Sequence, residues 1–341
     1  MKTTMRDIAK HANASVSTVS RVLTGKGYVS EDMYAHIMKV CRELNYSYER
    51  PQMRNGKKDR IIGVIISDLQ NDYNVHIISG IQEVADLNGY EVLITDTRGS
   101  LEREEQALRM FMTMALSGII FTPIMHKHML SSGLYYDIER ENIPIVIAEN
   151  DLEYSNYDAV FTNNVLGAHD AVSAFVECGH RKIATIIGPE TSKAGRERLT
   201  GYKKGLHLAS ISVVDEYVQQ GHFTATGGYE AMRRLMQLQD RPTAVFVANG
   251  IMVRGCYKYL IDHFGDPKRV SIITYDDLPN NVFSIPVSVV AQPMKEMGEI
   301  SMKTLLERIA QFPHKRREIK RIILSPKLIL KGSEKPFSEH A

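Results

Sequence analysis

The chain of 341 residues is poor in cysteine and has no long apolar run. Cys41, Cys178 and Cys256 are odd in number, widely spaced and set among apolar residues at helical spacing. They read as reduced core thiols rather than a disulfide framework or metal site. No eighteen consecutive apolar residues occur, and residues 1–25 lack a charged-then-apolar leader, so a cytoplasmic protein with no membrane partner is expected. HExxH, CxxC, Walker A and nucleophile-elbow words are all missing. No cofactor, metal ligand or catalytic residue is therefore expected, and the chain does not read as an enzyme. Nor does a leucine heptad follow Lys331, which argues against a coiled-coil tail.

Charge is unevenly spread. Residues 1–60 hold 12 Lys/Arg against 6 Asp/Glu, a balance of +6, while the remaining 30 basic and 34 acidic residues give −4. A basic arm on a mildly acidic body suits nucleic acid on one side and a soluble partner on the other. The arm opens with MRDIAKHANASVSTVSRVL. Thr4 is placed to cap a first helix, with Asp7 in its first turn and Ile8, Ala9 and Ala12 inward. Asn13-Ala14-Ser15 interrupts the pattern, and Ser15 can cap a second helix that turns Val19, Val22 and Leu23 inward. Two short helices around a tight turn describe a helix-turn-helix, whose second helix enters the DNA major groove. Val16, Ser17 and Arg21 point outward. Periodicity alone equally suits two ordinary amphipathic helices. A third helix follows from Ser30-Glu31-Asp32, with Met33, Ile37, Val40, Cys41 and Leu44 at helical spacing.

The words MRDIAKHA, STVSRVL, VSEDMYAHI and LNY resemble the lactose/galactose-repressor family of bacterial transcription regulators, at that family's usual place. The resemblance implies contact with a near-palindromic double-stranded operator through Thr4, Ser15, Val16, Ser17, Thr18, Ser20 and Arg21. The turn carries Asn13-Ala14 where the family has Gly-Val, and Asn tolerates the left-handed conformation such a turn needs. In the family, the connector that follows forms a hinge helix on DNA and wedges a Leu into the minor groove. Here SYERPQMRNGKKDR lacks the usual Ala-Arg-x-Leu pattern. Met53 is its one sizeable apolar wedge candidate, and a basic tether touching phosphates through Arg50, Arg54, Lys57 and Lys58 is the competing reading.

Beyond Ile61, near-continuous Ile/Val runs alternate with helix-length segments, as parallel strands covered on both faces do. Strands are expected over 61–67, 91–97, 118–123, 144–149, 182–188, 244–249 and 270–276. Helices run to Leu87 and over 102–116, 165–178, 196–208, 253–264 and 294–311. The expected fold class is α/β: an N-terminal all-α helix-turn-helix head joined to a bilobed core of doubly wound parallel sheets, resembling periplasmic sugar-binding proteins. The expected domains are residues 1–46 for the head, 47–60 for the hinge and 61–333 for the body, with a tail at 334–341. The first lobe takes 61–162 and 293–321, and the second takes 163–292 and 322–333. Ile322–Leu330 is expected to be one closing strand of the second lobe, and Lys331–Ala341 a frayed end.

Ligands of such sheets bind beyond the C-terminal strand ends. Asp68 and Tyr73 follow the first strand, and Glu149, Asn249 and Asp276 end others. The segment GPETSKAGRERLTGY resembles the family's effector-contacting segment, which implicates Arg198. GHFTATGGYEA resembles the word whose aromatic stacks on a sugar or base, here Phe223. Guanidinium and carboxylate groups paired across a cleft suit vicinal hydroxyls. For each, a packing or capping role is the alternative. Two acidic groups of the family are missing, at Asn163-Asn164 and Asn249-Gly250. The implied molecule is a homodimeric repressor controlled by a small effector, a carbohydrate in the first instance. A nucleoside or purine, a protein corepressor, or a transporter's solute-binding role remain as alternatives.

Overall fold

The computed structural model describes residues 4–24, 29–44, 46, 60–69, 71–124, 143–149, 156–276, 286–311 and 318–336. The chain divides into two compact units with the boundary between residues 58 and 59. In the first unit, α1 (Met5–His11) begins at Thr4, whose hydroxyl accepts from the Asp7 amide while the Asp7 carboxylate takes the Thr4 main-chain N–H. That reciprocal pairing satisfies two otherwise orphaned donors. Asn13 turns the chain with a left-handed φ of 48°. Ser15 then caps α2 (Val16–Thr24), accepting from the Thr18 amide at 3.0 Å. Helix α3 (Glu31–Glu43) closes a small core of Ile8, Ala9, Ala12, Val19, Val22, Ile37, Val40 and Cys41.

The second unit holds two six-stranded sheets. The first contains β1 (Ile61–Ile66), β2 (Glu91–Asp96), β3 (Gly118–Phe121), β4 (Ile145–Ala148), β5 (Asp158–Thr162) and β11 (Arg321–Leu324), ordered β11-β5-β4-β3-β1-β2 and wholly parallel. The second contains β6 (Ile183–Ile187), β7 (Val218–Gln220), β8 (Ala244–Val247), β9 (Ser271–Tyr275), β10 (Ser288–Ala291) and β12 (Lys327–Ile329), ordered β12-β10-β9-β8-β6-β7. Only β12 runs antiparallel. Strands β1–β5 and β6–β10 thus repeat one winding, with switch points between β1 and β3 and between β6 and β8.

Apolar runs bury both faces of the central strands, and helices cover them. Helix α4 (Asp72–Leu87) packs in the first lobe against α10 (Met294–Gln311). Their backbones nearly touch: a Cβ on Gly80 would lie 2.0 Å from the Lys295 carbonyl oxygen, and one on Gly298 2.0 Å from that of Ile77. Helix α5 (Leu101–Thr113) covers the other face through Ala107, Leu108 and Phe111. In the second lobe α6 (Asn164–Glu177) packs on α7 (Lys193–Leu208), and α8 (Ala225–Gln237) on α9 (Gly250–Phe264).

Two expectations for the C-terminus need correction. Ile322–Leu330 is not one strand of the second lobe. Ser325-Pro326 divides it, because proline has no amide to continue a ladder. Strand β11 therefore joins the first sheet and β12 the second. Residues 331–336 are docked rather than frayed. Glu334 is buried, its carboxylate accepting from the Ser288 hydroxyl and the Gly332 amide. The Lys335 carbonyl accepts from the Ser271 hydroxyl, and that of Glu334 meets His180.

Candidate ligand cleft and DNA-reading helix

The two windings put equivalent residues face to face. Strands β4 and β9 hold the same place in their lobes, and the residues that follow them are Glu149 and Asp276. Both are left-handed, at φ 69° and 63°. Both donate their amide to the neighbouring strand, to the carbonyls of Val160 and Val290 at 3.0 Å. A side chain with a Cβ resists this conformation at a cost of about 1–3 kcal/mol, tolerated where the surroundings fix the backbone. The conformation ends each strand abruptly with a carboxylate inside the cleft.

Arg198, one turn into α7 and only 6% exposed, acts electrostatically on both. Its Nε donates to Asn164 Oδ1 at 2.9 Å and its Nη1 to the Ala248 carbonyl at 2.6 Å, while the guanidinium lies 3.7 Å from the Tyr275 ring centroid. Asn164 in turn donates to Glu197 at 3.1 Å, and the Tyr275 hydroxyl donates to the Asn164 carbonyl at 3.0 Å. The plane of Arg198 is thereby fixed, and Nη2 has no protein acceptor among the described residues.

One cation serves two acids. Burial pushes the Glu149 carboxyl up to about 7; Arg198 opposes the rise and Asp276 adds to it. Burial also raises Asp276, against the pull of Arg198 and of Gln292, whose side-chain nitrogen donates to both carboxylate oxygens at 2.9 Å. Tyr73 faces the same group from α4. Burial first, then Glu149 and Asp276, push its phenol well above the usual range. Its hydroxyl meets the Met297 sulfur at 3.6 Å.

Sequence-predicted residues therefore separate into two groups. Tyr73, Glu149, Arg198 and Asp276 converge into one electrostatic cluster. Phe223 (φ 57°) lies instead against the end of β6, where a Cβ on Gly188 would come within 2.0 Å of its ring, so only glycine admits the aromatic there. Asn249 spends its side-chain oxygen on capping α9, accepting from the Met252 amide at 2.9 Å. The Asp68 carbonyl accepts from the Asn74 side chain at 2.7 Å. All three still stand at the switch-point ends of β1, β6 and β8. The sequence reading did not single out Tyr275 or Gln292, and noted Asn164 only as a departure. Gln292 carried a signal all the same, being a polar residue at a strand end next to Pro293.

In the first unit, Val16, Ser17 and Arg21 are exposed on α2, and Val16 is 45% exposed. Thr4 and Ser15 are exposed but hold caps, and the Ser15 hydroxyl also lies 2.7 Å from those of Ser17 and Thr18. Thr18 and Ser20 are half-buried. Met53, Lys57 and Lys58 lie outside the described residues. Among the described residues no group of His, Cys, Asp and Glu is arranged to hold a metal, and no helix is long and apolar enough to cross a membrane.

Residues 4–48 match the family model for bacterial regulatory proteins of the lacI family, and residues 172–333 match that for a periplasmic binding protein-like domain. The ribose operon repressor of Haemophilus influenzae is 29% identical over 97% of this chain and 98% of its own length. The transcriptional repressor PurR of Salmonella newport is 31% identical over 99% of both chains. Among solved structures, a complex of the transcriptional regulator CelR with cellobiose aligns with a TM-score of 0.72 at 25% identity, covering 97% of this chain and 99% of that one. With a three-helix reading head before two sheets that meet at a charged cleft, the chain belongs to the lacI family of bacterial regulatory proteins.

Proposed function

We propose that the protein is a homodimeric transcriptional repressor whose hold on a near-palindromic operator is set by a small polyhydroxylated effector, a sugar, in the interlobe cleft. The observation that supports this best is the immobilised Arg198 guanidinium between Glu149 and Asp276. A sugar hydroxyl both donates and accepts, so a vicinal pair can accept from a fixed guanidinium edge while donating to carboxylates. Phe223 and Tyr73 offer apolar faces for the C–H side of a ring. Related proteins point the same way, since one is named for ribose and another is complexed with cellobiose.

On the DNA side, α2 carries Val16, Ser17 and Arg21 to base edges, and dimer symmetry matches two heads to two half-sites. Effector binding shifts the equilibrium between two arrangements of the lobes, and operator affinity changes by the same coupling factor, reciprocally. A purine or nucleoside effector is the second reading. Thermal-shift measurements against sugars, sugar phosphates, nucleosides and purines decide between them, because a ligand of the folded state raises its melting temperature. A sugar that raises it and changes operator affinity supports the proposal. A response confined to purines or nucleosides, or to none of the panel, rejects it.

A further inference from the structure

We infer that Gln292 is a positioning residue of the cleft: its amide grips both oxygens of the Asp276 carboxylate and ties that carboxylate to the connection between the lobes. The inference rests on the cleft being the effector site, but the contact itself is made within the protein.

Ala148 pairs with Val160 in the first sheet and Tyr275 with Val290 in the second, so the residue two beyond Val160 corresponds to the residue two beyond Val290. Those residues are Thr162 and Gln292. Thr162 is short, and its hydroxyl makes no hydrogen bond, to Glu149 or to any other group among the described residues. The Glu149 carboxyl has no hydrogen-bond donor among the described residues. Gln292 is long enough to reach Asp276, and its nitrogen lies 2.9 Å from Oδ1 and 2.9 Å from Oδ2. Of two carboxylates on equivalent left-handed residues, only that of Asp276 thus has a donor reaching it from the next strand, among the described residues.

The location of that donor gives it a second role. Gln292 lies between β10 of the second lobe and α10, which begins at Met294 and packs on α4 of the first. The other charged member of the cluster is held in the same way. Arg198 is bound by Asn164, at the junction where the chain leaves β5 for α6. Both charged groups of the second lobe are therefore anchored to interlobe junctions. A ligand that re-aims either one acts directly on a segment that sets lobe orientation.

Replacing Gln292 tests this without any ligand. The groups facing Asp276 are Arg198 on α7, Glu149 at the end of β4, Tyr73 on α4 and Tyr275 beside it. All are left in place by Gln292→Met and Gln292→Lys. The Asp276 titration is followed by carbon NMR of aspartate-labelled, ligand-free protein, with Asp276→Asn for assignment and melting curves to confirm folding. Losing a hydrogen bond to a charged group should raise the Asp276 midpoint by about one to two pH units in Gln292→Met. A cationic donor should lower it in Gln292→Lys. A purely packing role would leave the midpoint unmoved in folded variants, or move it the same way in both, and either result overturns the inference. An absent sugar response with opposite shifts in these variants would reject the effector assignment and leave the role of Gln292 standing.

Discussion

Glu149→Gln should make the ligand-free protein more stable at pH 8 while weakening its sugar binding. Burial lifts the Glu149 carboxyl from 4.5 to about 7, so the folded state holds this proton more tightly than the unfolded chain does. Between those values the native state binds more protons, and stability falls as pH rises through the window. Above pH 7 the penalty is complete. At about 1.4 kcal/mol per pH unit it approaches about 3 kcal/mol, an upper bound because water at the cleft mouth screens the charge. Glutamine keeps the shape and the left-handed backbone but never ionises, so the strain cancels and the charge penalty disappears. For a body of this size, roughly 2 °C per kcal/mol predicts a melting temperature about 5 °C higher at pH 8. Little difference is expected at pH 5, where wild-type Glu149 is protonated. Calorimetric scans from pH 5 to 8 should show a falling wild-type curve and a flatter variant curve, with a residual slope from Asp276. A variant that melts at or below wild type at pH 8, or keeps the full slope, would refute the reasoning.

Three further outcomes are expected. Arg198→Ala removes the guanidinium that Asn164 and Ala248 hold in place, and a lost charged hydrogen bond to the effector costs about 1.5–3 kcal/mol, so effector affinity should fall by at least tenfold in calorimetric titration. Operator affinity without effector should stay near wild type, and its loss in folded protein would remove Arg198 from the site. Arg21→Ala should cost about 1–3 kcal/mol in operator binding and relax base preference, read by footprinting; unchanged affinity and preference would end the assignment of α2. In the connector, Lys57→Ala with Lys58→Ala should lower the salt dependence of operator binding, while Met53→Ala should leave DNA bending unchanged. Pro51 disfavours a helix there, and a circular-permutation gel showing strong bending that depends on Met53 would reverse this expectation.

Much of the fold was legible because local rules and global packing agree. Thr4 and Ser15 cap where their spacing suggests, and the helix expected over 294–311 spans Met294–Gln311. The parallel strands announced themselves as Ile/Val runs, since both of their faces are covered. Short elements were less visible. Strand β5 reads DAVFT and β7 reads VQQ, each too brief for a period to emerge, and they gain their place by pairing with β4 and β6. The path of 321–329 depends on which sheet edge is open, a tertiary fact absent from any single segment. In the cleft, charged residues in family words could be found by position. Hydrogen-bonding residues such as Asn164 and Gln292 could not, because their role is defined by distances across 34 and 16 residues of chain.

The backbone at Glu149 and Asp276 shows why the site resists reading by propensity. Left-handed non-glycine residues and two half-buried acids that share a single cation oppose stability, and nothing in a sequence pattern favours placing them together. Glycine at either position would relieve the backbone and remove the carboxylate; glutamine would relieve the charge and remove an acceptor. What holds the arrangement is the rest of the lobe, where strands β4 and β9 are fully buried and paired on both sides. A ligand hydroxyl that donates to the Glu149 carboxylate, which has no hydrogen-bond donor among the described residues, stabilises the folded state by more than it would beside a donor already in place. A carboxylate already satisfied by a protein donor would gain less from any ligand and so would shift the lobes less, since a ligand moves an equilibrium only by its difference in affinity for the two states. The desolvated Glu149 carboxylate is thus a source of the free energy available for switching.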